Sequence, residues 1–187
     1  MLMALNDNSR FLICEKAVAA LRKGGMVVYP SDTVYGLAVD ATNPMAIQKL
    51  DHFKSRQASQ KFSYNFADLE MVEEFCEPSE SQIKVLRRYL PGPYTFVLSD
   101  KISVRIPKRS VITEICQLFG KPVTATSANL TGKPPATRIK TLDAKIYLAA
   151  NLIIEEPDFQ PSQPSTVVDI SREPYKVLRR GPLPFPR

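Results

Sequence analysis

The segment Met26–Val39 reads MVVYPSDTVYGLAV, two apolar runs separated by a short polar stretch. The run Met26–Tyr29 predicts a short buried strand that ends at Pro30, and the run Val34–Val39 predicts a second strand. Between them, Ser31-Asp32-Thr33 places short polar side chains at a strand end, where open α/β sheets bind their ligands. An ordinary polar turn is the alternative explanation.

Helices and strands alternate around this segment. Apolar spacing and capping residues predict helices over Arg10–Leu21, Asn43–Phe53, Asp68–Phe75, Gln82–Leu90, Val111–Phe119 and Leu142–Ala150. Strand-like runs occupy Phe62–Phe66, Tyr94–Leu98, Ile102–Ile106, Val123–Thr126, Leu152–Glu155, Thr166–Ile170 and Lys176–Leu178. In the first helix, the residues predicted to face the core are Phe11, Cys14, Ala17, Val18 and Leu21. The order of these elements predicts an α/β fold with a mixed sheet.

The composition is that of a globular protein, with 44% hydrophobic and 24% charged residues in 187. One domain is expected over 1–187, with a core of about 10–181 and a Pro-rich tail, 182–187, extended along the surface. No apolar run reaches the roughly 18 residues of a membrane span. Met1–Arg10 lacks the apolar core of a secretory signal. We therefore expect a cytoplasmic protein without membrane contacts.

Residue types exclude several classes of active site. One histidine, His52, and three widely spaced cysteines provide no Cys/His metal site, so no metal ligands are predicted. The GxSxG, P-loop and GxGxxG motifs are absent. The formal charge of +6 favours anionic partners such as nucleotides, phosphates or RNA. Side-chain cations and hydroxyl groups must therefore hold any nucleotide.

Two cations follow the helix that begins at Asn43. If this helix ends after Phe53, the extended spacing of Lys54-Ser55-Arg56 puts Lys54 and Arg56 on one side, where they could clamp a polyphosphate. A solvated helix end, with cations favoured by the helix dipole, is the alternative.

Other polar residues also lie in or at the ends of predicted strands. In extended geometry Ser127 and Asn129 face one way and offer a hydroxyl and an amide. Arg105 alternates with aliphatic residues and points away from the core-facing ones. Ser165 precedes one strand, and Arg179 follows another. Each signal is weak alone, and their shared position is the informative part.

Taken in order, these segments resemble the YrdC/TsaC family of threonylcarbamoyl-AMP synthases, from about Leu21 to Pro182. The residues that carry the resemblance are Gly24-Gly25, Pro30–Leu37, Lys54-Ser55-Arg56, Leu90–Pro93, Val104–Pro107, Ser127-Ala128-Asn129, Ser165–Asp169, Arg179 and Gly181.

The resemblance implies a YrdC-like fold, an open, twisted, mixed sheet with flanking helices and a concave basic face. It implies an enzyme that joins L-threonine, bicarbonate or CO2, and ATP with its Mg2+ into threonylcarbamoyl-AMP, releasing pyrophosphate. A transferase machinery then passes the threonylcarbamoyl group to tRNA.

The family's site residues are carried over by motif. For threonine they are Thr33, Asn65, Arg105 and Ser165. For ATP they are Lys54, Arg56, Lys61, Ser127, Asn129 and Arg179. Among these, Lys54 and Arg56 are expected to be catalytic, since they would face the phosphates.

The sequence also departs from the family pattern. Gln57 stands in place of a usual proline, Lys61 carries its charge one residue late, and Asn65 replaces a frequent histidine. The connection between Leu98 and Ile102 is shorter than usual.

Two alternatives stay open. One is a YciO-like paralogue with altered activity, which Phe62-Ser63 and Pro93-Tyr94-Thr95-Phe96 resemble more closely. The other is a non-enzymatic module that binds double-stranded RNA or tRNA through a basic concave surface.

Overall fold

A computed structural model of the chain describes residues 1–54, 62–108 and 110–185. Within these residues the strands are β1 (Leu2–Ala4), β2 (Val27–Pro30), β3 (Tyr35–Ala38), β4 (Ser63–Asn65), β5 (Tyr94–Ser99), β6 (Ile102–Arg105), β7 (Val123–Ser127), β8 (Leu152–Glu155), β9 (Thr166–Asp169) and β10 (Lys176–Arg179). The α-helices are α1 (Arg10–Arg22), α2 (Pro44–Phe53), α3 (Leu69–Cys76), α4 (Glu80–Tyr89), α5 (Val111–Phe119) and α6 (Ala144–Ala149).

The strands form one open sheet in the order β1-β8-β2-β3-β7-β4-β6-β5-β9-β10. The pairs β1–β8, β2–β8, β4–β6 and β5–β9 are parallel, and the other neighbours are antiparallel. The predicted mixed α/β sheet is therefore confirmed, as is the hairpin that β5 and β6 form across a short connection.

Helices cover both faces of the sheet. On the first face, α1 and α5 pack over β8, β2, β3 and β7, and their core includes Val27, Ile115 and Val123. On the second face, α2 and α6 pack on one half of the sheet and α3 and α4 on the other. No residue of β5, β6 or β9 belongs to the first-face core. None of the helices in the described ranges is long and apolar enough to cross a membrane.

Local signals set the helix ends, as the sequence predicts. Asn43 caps α2 by accepting from the backbone N–H groups of Met45 and Ala46. Ser79 and Gln82 form a complete capping box at α4. Gly120 ends α5 with a φ of 70°, a left-handed conformation that glycine adopts without steric cost.

One expectation about helix α1 was wrong, one strand was not predicted, and the expectation for the C-terminal tail was incomplete. Phe11 is 67% exposed, whereas Ile13 takes its place in the core. Strand β1 has no sequence signal, because three residues form it by pairing with β8. The C-terminal tail also contacts the body of the fold, since Thr166 donates its hydroxyl to the Leu183 carbonyl at 2.6 Å and the partly buried Phe185 packs against the core beside α4.

Candidate functional site

The first face of the sheet contains a cavity where several neighbouring strand residues have small side chains. Register pairs Tyr29 with Gly36, Gly36 with Ser127, and Ser63 with Ala125. Directly opposed residues share a face of a sheet. Glycine, alanine and serine on this face fill little space and leave a cavity of about 220 Å³.

The cavity gathers strand ends from both halves of the sheet. Its walls include the predicted site residues Thr33, Arg105, Ser127, Ser165 and Arg179, which are far apart in sequence. The predicted function requires these residues to share one cavity, and the structure places these five together. Their individual roles stay predictions.

Ser31 organises the turn between β2 and β3. Its hydroxyl donates to the Val34 carbonyl at 2.7 Å and accepts from the backbone N–H of Thr33 at 3.2 Å. Thr33 Oγ1 lies 3.1 Å from the same hydroxyl, and the Thr33 carbonyl accepts from Ser162 N at 2.7 Å. These contacts hold the buried Thr33 in the cavity wall.

Arg105 forms an ion pair with Asp32 at one side of the cavity. Nη2 of Arg105 lies 2.9 Å from Oδ1 of Asp32, and the two side chains are 12% and 10% exposed. Burial raises the pKa of Asp32, and the adjacent guanidinium opposes that shift. Nε of Arg105 is buried with no hydrogen-bond partner among the described residues. Since an unpartnered buried donor is costly, this N–H is suited to receive an anionic ligand.

A second guanidinium approaches from the edge strand β10. Arg179 donates from Nε to the Ser165 carbonyl at 3.0 Å and from Nη2 to the Ser165 hydroxyl at 3.1 Å. That hydroxyl also lies 2.8 Å from Thr95 Oγ1. Burial and then the like charge of Arg105 lower the pKa of Arg179. Two guanidinium groups that repel each other across one cavity favour an anion between them.

Asn65 lies behind the cavity wall. It is fully buried, and its Nδ2 donates to the hydroxyl of Tyr29 at 2.7 Å. Tyr29 lines the cavity and Asn65 does not. The described contacts link Asn65 to the cavity through Tyr29, and the direct contact with threonine predicted for Asn65 stays a prediction.

Lys54 holds the turn after β7. Helix α2 ends at Phe53, which is the condition that the predicted clamp required. The Lys54 side chain is buried, and its ammonium donates to the Ser127 carbonyl at 2.9 Å, the Asn129 carbonyl at 2.6 Å and Asn129 Oδ1 at 2.9 Å. These contacts tie the Lys54 ammonium to the turn after β7. The phosphate contact predicted for Lys54 stays a prediction.

Asn129 is likewise occupied within the protein. Its Oδ1 accepts from the Ser127 hydroxyl at 2.6 Å, and its Nδ2 donates to the Lys133 carbonyl. Ser127 lines the cavity, whereas Asn129 does not. Of this predicted ATP motif, Ser127 is thus the member at the cavity. Arg56 and Lys61, with Gln57, lie outside the described residues.

Sequence reasoning did not single out Tyr29 and Thr95 as residues of this site. Tyr29 belongs to an apolar strand and was interpreted as core, and Thr95 was interpreted as one more strand residue. Gly36, which lies within the Pro30–Leu37 motif, carries a further signal, because glycine inside a strand often marks a close approach. A Cβ atom at Gly36 would lie 2.3 Å from Cζ of Tyr29.

This arrangement suits binding and positioning rather than attack by a protein nucleophile. Hydroxyls and two guanidiniums surround the space, and Asp32 is paired. Burial raises the pKa of Cys14 and Cys76 to about 11 and that of Cys116 to about 12, so these thiols are protonated at neutral pH. The basic character predicted for the whole face stays a prediction.

Comparison with known proteins gives a family match and named relatives. The model of the Sua5/YciO/YrdC family, described as "Telomere recombination", matches residues 19–181. A protein of Vibrio campbellii named threonylcarbamoyl-AMP synthase is 30% identical over 183 residues, which cover 89% of this chain and 98% of the relative.

Solved structures resemble the whole fold. Pyrococcus abyssi Sua5, crystallised with L-threonine, matches with a TM-score of 0.89 and 28% identity. The match covers 98% of this chain but 58% of the Sua5 chain, so this chain spans little more than half that length. Escherichia coli YciO matches with a TM-score of 0.81 at 23% identity, a likeness that shows the fold alone.

Proposed function

The chain belongs to the Sua5/YciO/YrdC family, and we propose that it is a threonylcarbamoyl-AMP synthase. The proposed reaction joins L-threonine, bicarbonate or CO2, and ATP, and releases pyrophosphate. One observation supports it most: Arg105 and Arg179 face one cavity with the hydroxyls of Thr33, Ser127 and Ser165. Such a cavity fits a small zwitterion beside an anion.

The amino acid would occupy the side of the cavity near Arg105. The free Nε–H of the Arg105 guanidinium would bind the threonine carboxylate, and the Thr33 and Ser165 hydroxyls would contact its polar atoms. ATP would lie toward Ser127 and Arg179, with Arg56 and Lys61 on its phosphates. Lys54 and Asn129 would act by keeping the Ser127 turn in place.

The chemistry depends on bringing two anions together. Threonine and CO2 give a carbamate, whose oxygen attacks the α-phosphorus of ATP as the bond to pyrophosphate breaks. Two unit charges about 4 Å apart repel by roughly 4 kcal/mol at an effective dielectric near 20. The cavity cations would offset this repulsion, and the fixed geometry would align the in-line attack.

We propose that Mg2+ arrives with ATP as part of the substrate. In the part of the chain that the structure describes, no group of three His, Cys, Asp or Glu side chains could hold a metal ion. The residues that the structure describes therefore do not fit a resident metal, and no step here depends on one. We further propose that the product serves tRNA modification in the cytoplasm, through a separate transferase machinery.

The test is pyrophosphate release with each substrate omitted in turn. We expect release to require threonine, bicarbonate and ATP together. Arg105→Lys keeps a charge beside Asp32 but loses the fork of a guanidinium, so the KM for threonine should rise about tenfold or more. Arg87→Lys is the matched control, because Arg87 is exposed and pairs with Glu73. Pyrophosphate release without threonine, or equal KM values in both variants, would contradict the proposal.

A further inference from the structure

Tyr29 crosses the sheet beneath the cavity. It lies on β2 opposite Gly36 of β3, and the missing Cβ of Gly36 lets the ring pass directly over that residue. The hydroxyl thereby reaches Asn65 on β4, two strands beyond β3 in the sheet order. A side chain placed only to fill the core would not need a glycine under it and a polar partner at its tip.

The hydroxyl of Tyr29 has a hydrogen to donate. Asn65 is a donor to this oxygen, at 2.7 Å, and it is the one hydrogen-bond partner of the hydroxyl among the described residues. Burial raises the pKa of Tyr29 to about 12, so the group is a protonated phenol at neutral pH. Because a phenol both donates and accepts, the Asn65 amide, oriented with its Nδ2 toward Tyr29 and its Oδ1 unpartnered among the described residues, leaves the Tyr29 O–H available to donate.

The position of Tyr29 indicates which kind of group would accept a hydrogen bond from its hydroxyl. Tyr29 lines the cavity together with Arg105, and the Arg105 charge is the largest influence opposing the rise of its pKa. Arg105 carries its own unpartnered N–H at Nε. The Tyr29 O–H and the Arg105 Nε–H belong to two residues that line one cavity, and together they suit an oxygen anion that contacts both.

Resting on the proposed function, we infer that Tyr29 is a substrate-binding residue that donates a hydrogen bond to the carboxylate of the amino-acid substrate. Asn65 is a positioning residue, which acts by holding the Tyr29 hydroxyl from behind. This assignment explains why Asn65 is fully buried and absent from the cavity wall. It also makes Gly36 part of the recognition of the amino acid, through the space that it leaves for the ring.

Calorimetric binding of threonine, without ATP, tests this inference on the folded full-length chain. Tyr29→Phe removes the hydroxyl and keeps the ring, and we expect about a tenfold rise in the Kd for threonine. The matched control is Tyr94→Phe, because that buried hydroxyl donates to the Pro184 carbonyl at 2.9 Å and lies outside the cavity. Its Kd should equal that of the wild type.

Asn65→Ala completes a double-mutant cycle. Asn65→Ala should weaken binding in the wild-type background and add little in the Tyr29→Phe background, because Asn65 acts through the hydroxyl. Additive losses would overturn the positioning role and indicate a direct contact by Asn65. Should Tyr29→Phe fail to fold, Asn65→Ala must show weaker binding by itself.

The outcomes separate this inference from the proposed function. A wild-type chain that binds no threonine overturns both. A wild-type chain that binds threonine, with an unchanged Kd in Tyr29→Phe, overturns the role of Tyr29 and leaves the proposed reaction standing.

Discussion

The first face of the sheet has an end that is packed beneath helices and an end that contains the cavity, and the side chains at these two ends differ in their contacts. Val123 and Ala125 both lie on β7, two residues apart, and point to the same side of the sheet. Val123 is fully buried in the core that α1 and α5 cover. Ala125 lines the cavity with Gly36 and Ser63. The strand geometry is the same at both positions, and what changes is side-chain volume and the presence of a helix above.

This contrast shows how the fold separates stability from binding. At the packed end, apolar area removed from water stabilises the chain. At the cavity end, small residues give up that stabilisation and leave space beside Arg105 and Thr33. Substitutions at the packed end should therefore change mainly the free energy of unfolding, and substitutions at the cavity end should change mainly the activity with threonine.

The largest effect is expected from filling the cavity. Ala125→Leu adds three carbon atoms to a space of about 220 Å³, so threonine-dependent pyrophosphate release should fall about 100-fold or more. Because Ala125 is only partly buried and has open space before it, the melting temperature should change little. Paired assays of initial rate and thermal unfolding check this result. An active Ala125→Leu enzyme would show that the substrates bind elsewhere.

The converse change removes volume at the packed end. Val123→Ala deletes two buried methyl groups beneath α5 and should lower the free energy of unfolding by about 2 kcal/mol. The KM for threonine should stay at the wild-type value well below the melting temperature. Urea unfolding and steady-state kinetics measure the two quantities. A large rise in KM with an unchanged free energy of unfolding would contradict the proposal that the packed end serves stability and the cavity end serves binding.

Much of the fold can be predicted from the sequence because its signals are local. The capping box at Ser79 and the glycine stop at Gly120 act within one helical turn. Strand β1 could not be predicted in this way, because its three residues are held by β8, far along the chain. Phe11 was misplaced because helical periodicity shows which positions share a face and not how far the covering element extends.

The sequence predicts part of the cavity lining, and the roles of the individual residues stay predictions. Motif positions identified Thr33, Arg105 and Ser165, which the cavity does gather. The role of Lys54 depends on oxygens 73 and 75 residues away, and that of Asn65 on a hydroxyl 36 residues away. Spacing along one strand or helix carries no information about such contacts.

Ser110 lies at the boundary between the two ends and should give the smallest effect. It caps α5, and its hydroxyl donates to the Pro30 carbonyl at 2.8 Å, directly before the Ser31–Thr33 turn. Ser110→Ala should cost about 1 kcal/mol of unfolding free energy as a lost cap. It should also raise the KM for threonine about threefold, since the turn loses a support. Ser79→Ala removes a cap at α4, outside the cavity wall, and should show the same loss of stability with an unchanged KM. Equal KM values in the two variants would show that Ser110 stabilises the fold without supporting the binding of threonine.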